Sequence, residues 1–349
     1  MKEKKYYILY NKVKEMILDG KYKAGDKLPS KRVMADMTGY SQITVETAYG
    51  ELEAEGYIQT RERSGYYVCK IDGVFPKTKQ STGEFKYLEE EKSDRVHELE
   101  SSVWFKTVRK VIADRGGELF NKSPNKGCAV LRNAISDYLR RYRGMSASPE
   151  RIIIGSGSEQ LYESVVKLVG RDKIFGIENP AYSQIKAVYD GEGVKVCELS
   201  LGADGIESEE LKKDFDILHV TPFHSYPSGI TTSISKRYEY LKWVEEKTGY
   251  IVEDDFDSEF FKPGHPVESL YSLDKNQRVI YINTFSKSLS PSMRMGYMIL
   301  PNDMIPVYDE KLGQFSCTVP VLDQYVLAEF ISSGDFERHL NRVRRKMNK

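Results

Sequence analysis

Five short apolar runs recur between residues 152 and 282: Ile152-Ile153-Ile154, Lys173-Ile174-Phe175-Gly176-Ile177, Ile217-Leu218-His219-Val220, Tyr250-Ile251-Val252 and Val279-Ile280-Tyr281-Ile282. Runs this apolar leave no face for water, so each must be covered on both sides, and the amphipathic stretches between them are the cover available. The alternation predicts an α/β unit with a largely parallel sheet. Ligands of such sheets sit beyond the C-terminal ends of the strands, so the residues following each run are where chemistry is to be sought.

Four segments there carry it. Gly155-Ser156-Gly157-Ser158-Glu159-Gln160 is a glycine-rich turn entering a helix from Leu161 to Val169, whose first N–H groups suit a phosphate. Glu178-Asn179-Pro180-Ala181-Tyr182 places an aromatic ring after a turn, where it could stack on a flat cofactor. Val252-Glu253-Asp254-Asp255-Phe256-Asp257-Ser258-Glu259-Phe260 crowds carboxylates whose repulsion calls for a cation, either a protonated ring nitrogen or Mg²⁺. Finally, Lys287 lies among small hydroxyl residues in Thr284-Phe285-Ser286-Lys287-Ser288-Leu289-Ser290-Pro291-Ser292-Met293-Arg294. A lysine so placed can form a Schiff base with an aldehyde cofactor, and pyridoxal phosphate is the one suggested. Thr284, Ser286 and Arg294 offer donors to its phosphate, Arg294 as the charged fork. Taken singly, the glycine turn is an ordinary strand-to-helix turn and Tyr182 an ordinary tyrosine.

The first 70 residues have a different grammar. Tyr6, Leu9, Tyr10, Val13, Ile17 and Leu18 fall at helical spacing before Gly20, Ser30 is an N-cap for a second helix, and Ser41 caps a third running to about Glu55. Two β-prone runs, Gly56–Thr60 and Gly65–Val68, flank the polar tip Arg61-Glu62-Arg63-Ser64 and predict a hairpin. This is a helix-turn-helix followed by a wing. The whole chain has zero formal net charge, so a nucleic-acid surface must be local, and the first 70 residues hold 13 basic against 10 acidic side chains.

Residues 6 to 69 resemble the winged helix-turn-helix of the GntR family of bacterial regulators, on Gly25-Asp26-Lys27-Leu28-Pro29-Ser30-Lys31-Arg32, Ser41-Gln42-Ile43-Thr44-Val45, Ala48-Tyr49, Leu52–Ile58 and Gly65–Val68. Residues 101 to 349 resemble the large domain of fold-type I pyridoxal-phosphate enzymes, and the two together resemble the MocR subfamily. The resemblance implies a DNA-binding domain over 1–70, a linker over 71–100 and an aminotransferase-like domain over 101–349. It implies contacts to operator DNA from Arg32, Ser41, Gln42, Thr44, Thr47, Arg61 and Arg63. For the cofactor it implies an internal aldimine on Lys287, Asp254 at the pyridine nitrogen, Tyr182 stacked on the ring, and phosphate held by Gly157, Ser158, Glu159, Thr284, Ser286 and Arg294. Phe256 stands where relatives carry a tyrosine, and Tyr226 is the expected alternative source of a phenol. The chain reaches Lys349 where relatives continue into a small C-terminal domain, so that domain is expected to be absent.

These expectations converge on a transcriptional regulator that senses pyridoxal phosphate, or a small amine or amino acid reacting with it, and that works as a homodimer. The competing reading is an aminotransferase with a fused DNA-binding domain. A third is a remnant domain that serves only dimerisation. Four scattered cysteines, Cys69, Cys128, Cys197 and Cys317, give neither a zinc site nor a disulfide framework. No membrane-length apolar run and no signal-peptide pattern occur, which predicts a cytoplasmic protein with no metal.

Overall fold

The structure is a computed structural model that describes residues 5–61, 64–70, 101–260 and 268–347. It divides into two compact units, one holding the first two of these stretches and the other the remainder. The expected 71–100 linker and Arg63 lie outside the described residues.

The smaller unit runs α1 (Lys5–Leu18), α2 (Lys31–Thr38), α3 (Gln42–Ala54), β1 (Ile58–Arg61) and β2 (Gly65–Val68). Ser30 and Ser41 cap α2 and α3 by accepting from the N–H groups of Val33 and Thr44, as their sequence positions predict. Leu9, Val13 and Ile17 of α1 meet Val45, Ala48, Tyr49 and Leu52 of α3 in one core. The Tyr49 hydroxyl donates to the Pro29 carbonyl at 3.0 Å, which fixes the Leu-Pro-Ser turn against the third helix. β1 and β2 form the antiparallel wing, and Leu28 is tied to it by an N–H bond to the Tyr66 carbonyl at 2.9 Å.

The larger unit contains α4 (Ser101–Arg115), α5 (Ala129–Tyr138), β3 (Ile152–Gly155), α6 (Ser158–Val169), β4 (Ile174–Asn179), α7 (Ser183–Gly191), β5 (Lys195–Ser200), β6 (Ile217–Val220), α8 (Ile234–Lys247), β7 (Tyr250–Asp254), α9 (Leu270–Leu273), β8 (Val279–Thr284), β9 (Gly296–Ile299), α10 (Met304–Leu312), α11 (Val321–Ser332) and α12 (Asp335–Met347). Its seven strands lie in the order β3-β9-β8-β7-β6-β4-β5. All neighbours are parallel except β9, which is antiparallel to both β3 and β8 and pairs Gly296 with Gly155 and Thr284. Both faces are covered, and the alternation shows in the side chains. Ile152, Ile154, Tyr281, Tyr297 and Ile299 pack under α5, α11 and α12, while Ile153, Ile280, Ile282 and Met298 pack under α6. Because β9 alone reverses, the ends of β3, β4, β6, β7 and β8 and the start of β9 share one edge of the sheet.

Candidate functional site

That edge collects the residues singled out in the large unit. Lys287 and Arg294 lie in the loop joining β8 to β9, Asp254 ends β7, Tyr182 precedes α7, and Gly157 separates β3 from α6. Each sits where a strand stops and its backbone turns away, so the polar side chains gather without interrupting a ladder.

Asp254 is fully enclosed. Its Oδ2 accepts a hydrogen bond from the Tyr162 hydroxyl at 2.5 Å, and its Oδ1 is buried without a partner. Burial pushes its carboxyl up to about 7, against the opposing effect of the Tyr162 bond. Pyridoxal phosphate fits this arrangement. A protonated ring nitrogen would supply both the donor that Oδ1 lacks and the positive charge that a buried carboxylate needs.

Lys287 is exposed, and its Nζ lies 2.6 Å from Asp257 Oδ1 and 5.1 Å from the centre of the Phe256 ring. The other oxygen of Asp257 faces His224 Nδ1 at 2.8 Å, with His224 held at a φ of 50°. Phe256 thus offers the lysine only a ring face, while a buried carboxylate beside it takes up the lysine's charge.

The turn before α6 has the form of a phosphate cradle. Gly157 has a φ of 106°, no side chain caps the helix it starts, and a Cβ there would come within 3.1 Å of Arg294 Nη2. Arg294 bridges to Glu159 Oε2 at 2.8 Å. Ser158 is half-buried beside them, Ser286 is half-buried next to Lys287, and Thr284 is buried at the end of β8. Tyr182 and Tyr226 are exposed and meet edge to face at 6.1 Å between ring centres. Among the described residues the Tyr226 hydroxyl has no hydrogen bond.

The acidic run does not converge on one point. Glu253 accepts from the N–H groups of Leu270 and Tyr271 at 2.8 Å, Asp255 pairs with Arg143 at 2.8 Å and accepts from the Tyr281 hydroxyl, and Glu259 accepts from Asn283. Burial works against the Arg143 charge, but Asp255, with Tyr281 and Glu259, outweighs it and raises its pKa. Among the described residues no cluster of three His, Cys, Asp or Glu could hold a metal ion. Tyr162, Asp257, His224 and Arg143 are the neighbours that sequence did not assign. Asp257 was visible only as one acid among several, and Tyr162 reads as one more core residue of α6.

In the smaller unit, Arg32, Ser41, Gln42, Thr47 and Arg61 are exposed and Thr44 is half-buried. Arg61 lies over the Tyr67 ring at 4.3 Å, and Lys31 is paired with Glu46 at 2.5 Å. Ser41, Gln42, Thr44 and Thr47 share the first two turns of α3, while Arg61 stands on the wing.

Comparison with known proteins follows the same division. The family described as "Bacterial regulatory proteins, gntR family" matches residues 5–68, and "Aminotransferase class I and II" matches residues 77–349. The uncharacterised HTH-type transcriptional regulator YdeL of Bacillus subtilis is 35% identical over 99% of this chain and 77% of its own. The probable rhizopine catabolism regulatory protein MocR of Rhizobium meliloti is 30% identical over 97% of this chain and 73% of its own. Among solved structures, the α-aminoadipate aminotransferase LysN of Thermus thermophilus, complexed with N-(5'-phosphopyridoxyl)-L-leucine, superposes with a TM-score of 0.63. It is 26% identical and covers 71% of this chain and 64% of that one.

Proposed function

The chain belongs to the HTH-type transcriptional regulators that join a GntR-type DNA-binding domain to an aminotransferase class I and II domain, and we propose that it senses pyridoxal phosphate, or a small amine that reacts with it, through Lys287. The observation that carries this is the unpartnered Asp254 Oδ1, enclosed at the same sheet edge as Lys287 and the Gly157–Arg294 cradle. We further propose a homodimer whose two N-terminal domains engage two operator half-sites, with 1–70 as DNA-binding domain and 101–349 as sensor.

When bound, the cofactor supplies an aldehyde and an electron-withdrawing ring. The rest is work for the chain. Asp254 Oδ1 would accept the ring N–H, with Tyr162 keeping the other oxygen occupied so that the carboxylate has one orientation. The first N–H groups of α6, with Ser158, Ser286, Thr284 and Arg294, would hold the phosphate, and Tyr182 would stack on the ring. Lys287 would have to leave Asp257 to reach the cofactor aldehyde. Its two positions, beside Asp257 and turned toward the cofactor, would be the two states a sensor requires.

The test is a visible absorption scan of the protein with pyridoxal phosphate, before and after borohydride, alongside Lys287→Ala. A reducible band that vanishes in Lys287→Ala supports the reading. Absence of a band in the unaltered protein overturns it, and so does operator affinity that is identical with and without pyridoxal phosphate and amines.

A further inference from the structure

The hydroxyl groups expected to read DNA on α3 are engaged inside the small unit, whereas Arg32, Gln42 and Arg61 are exposed. Ser41 Oγ accepts the Thr44 N–H at 3.2 Å and lies 2.9 Å from Thr44 Oγ1, and the Thr47 hydroxyl donates to the Ile43 carbonyl at 2.9 Å. Glu46 is taken by Lys31, and Glu53 accepts the Thr60 N–H at 2.8 Å. Among the described residues, Gln42 has no side-chain hydrogen bond.

Directly opposite its core, α3 carries a narrow stripe without charge, flanked by the exposed Glu46 and Glu51. Val45, Ala48, Tyr49 and Leu52 are buried, so Ile43, Thr47, Gly50 and Ala54, at spacings of four, three and four, lie on the opposite side. Ile43 is 75% exposed, more than any other Ile, Leu, Val or Met among the described residues. Thr47, with its hydroxyl committed, has a methyl left to offer. In the major groove the apolar feature of a base edge is the C5-methyl of thymine, and a glutamine amide matches the N6 and N7 pair of adenine.

We infer that Ile43, with the Thr47 methyl beside it, reads thymine methyl groups in each operator half-site, and that Gln42 reads an adjacent adenine. The inference rests on the DNA-binding role of the smaller unit and adds the base class that role selects. The helix therefore discriminates by apolar contact where a charged side chain would have gripped guanine.

The full-length protein is used to enrich binding sites from a random duplex pool, and each thymine of the enriched half-site is then replaced by deoxyuridine, which removes only the methyl. Unaltered protein is expected to bind about fourfold more weakly at one or two of these positions, the worth of one buried methylene each. Ile43→Ala, an exposed change that leaves the core intact, is expected to bind the thymine and uracil duplexes equally while keeping its salt-dependent affinity for bulk DNA. An enriched site without a required thymine overturns the inference alone, as does indifference to uracil at every position or unchanged discrimination in Ile43→Ala. Failure to enrich any sequence, without salt-dependent DNA binding, overturns the DNA-binding role and the inference together.

Discussion

At the scale of single residues, the large unit is organised around carboxylates whose partners differ. Tyr162 lowers the Asp254 pKa against burial, so Tyr162→Phe raises it further and leaves more of the carboxyl neutral near pH 7. Pyridoxal phosphate affinity, read from the absorption band, is therefore expected to fall roughly tenfold at pH 7, the loss of one bond to a charged group. The pH at which binding strengthens should move upward in the variant. Asp257 works in the opposite sense. It ties Lys287 Nζ down at 2.6 Å, so Asp257→Asn, which removes the ion pair, should free the side chain to move and speed covalent capture of pyridoxal phosphate several-fold in stopped-flow absorption. Slower capture would mean that the carboxylate aims the lysine instead of restraining it. Lys287 and Arg294 stand out in one dimension as a lysine and an arginine after an apolar run, whereas Asp254 is singled out among its neighbouring carboxylates by the family resemblance alone. Tyr162 and His224 were not legible, because their relation to the site exists only once α6 and the segment after β6 are brought to the edge of one sheet.

The elements show the same division between local and long-range information. The Ser30 and Ser41 caps and the wing follow from neighbouring residues, and β1 and β2 fall where the polar tip predicts. β5 and β9 escape prediction for different reasons. Lys195–Ser200 is an edge strand with mostly exposed or half-exposed positions, and Gly296–Ile299 is four residues long and follows directly on the arginine of the lysine motif. The turn between β3 and α6 is the element most sensitive to a small change. Gly157→Ala combines a φ of 106° with a Cβ contact at 3.1 Å to Arg294. It is expected to cost about 1–3 kcal/mol in thermal or urea unfolding and to weaken pyridoxal phosphate binding, whereas Gly117→Ala, where a Cβ meets nothing within 4 Å, should leave the absorption band unaltered.

For the whole molecule, the two units have separate cores, so unfolding is expected to proceed in two transitions, with pyridoxal phosphate raising only that of the larger unit in calorimetry. The larger unit also stores a pH dependence. Burial pushes Glu178 up to about 8 and Asp254 and Glu259 up to about 7, from ordinary values of 4.5, 3.8 and 4.5. Folded protein thus binds more protons than unfolded protein above pH 4, and stability falls as pH rises through 4 to 8. His219, lowered by burial to about 3 from 6.5, opposes this trend only below 6.5. From pH 6.5 to 8.5 the midpoint of the ligand-free larger unit should drop by roughly 5 °C, and a flat or rising midpoint would contradict the burial of these carboxyls. The antiparallel β9 has one more consequence, in the currency of inheritance. The loop holding Lys287 and Arg294 is closed by the pair Thr284 and Gly296, and both faces of the strand after it are buried. A slip of that register by one residue would exchange Tyr297 and Ile299 with Gly296 and Met298 across the sheet. Descendants of this chain are therefore free to vary the loop around Lys287 and Arg294 but not the phase of the strand that closes it.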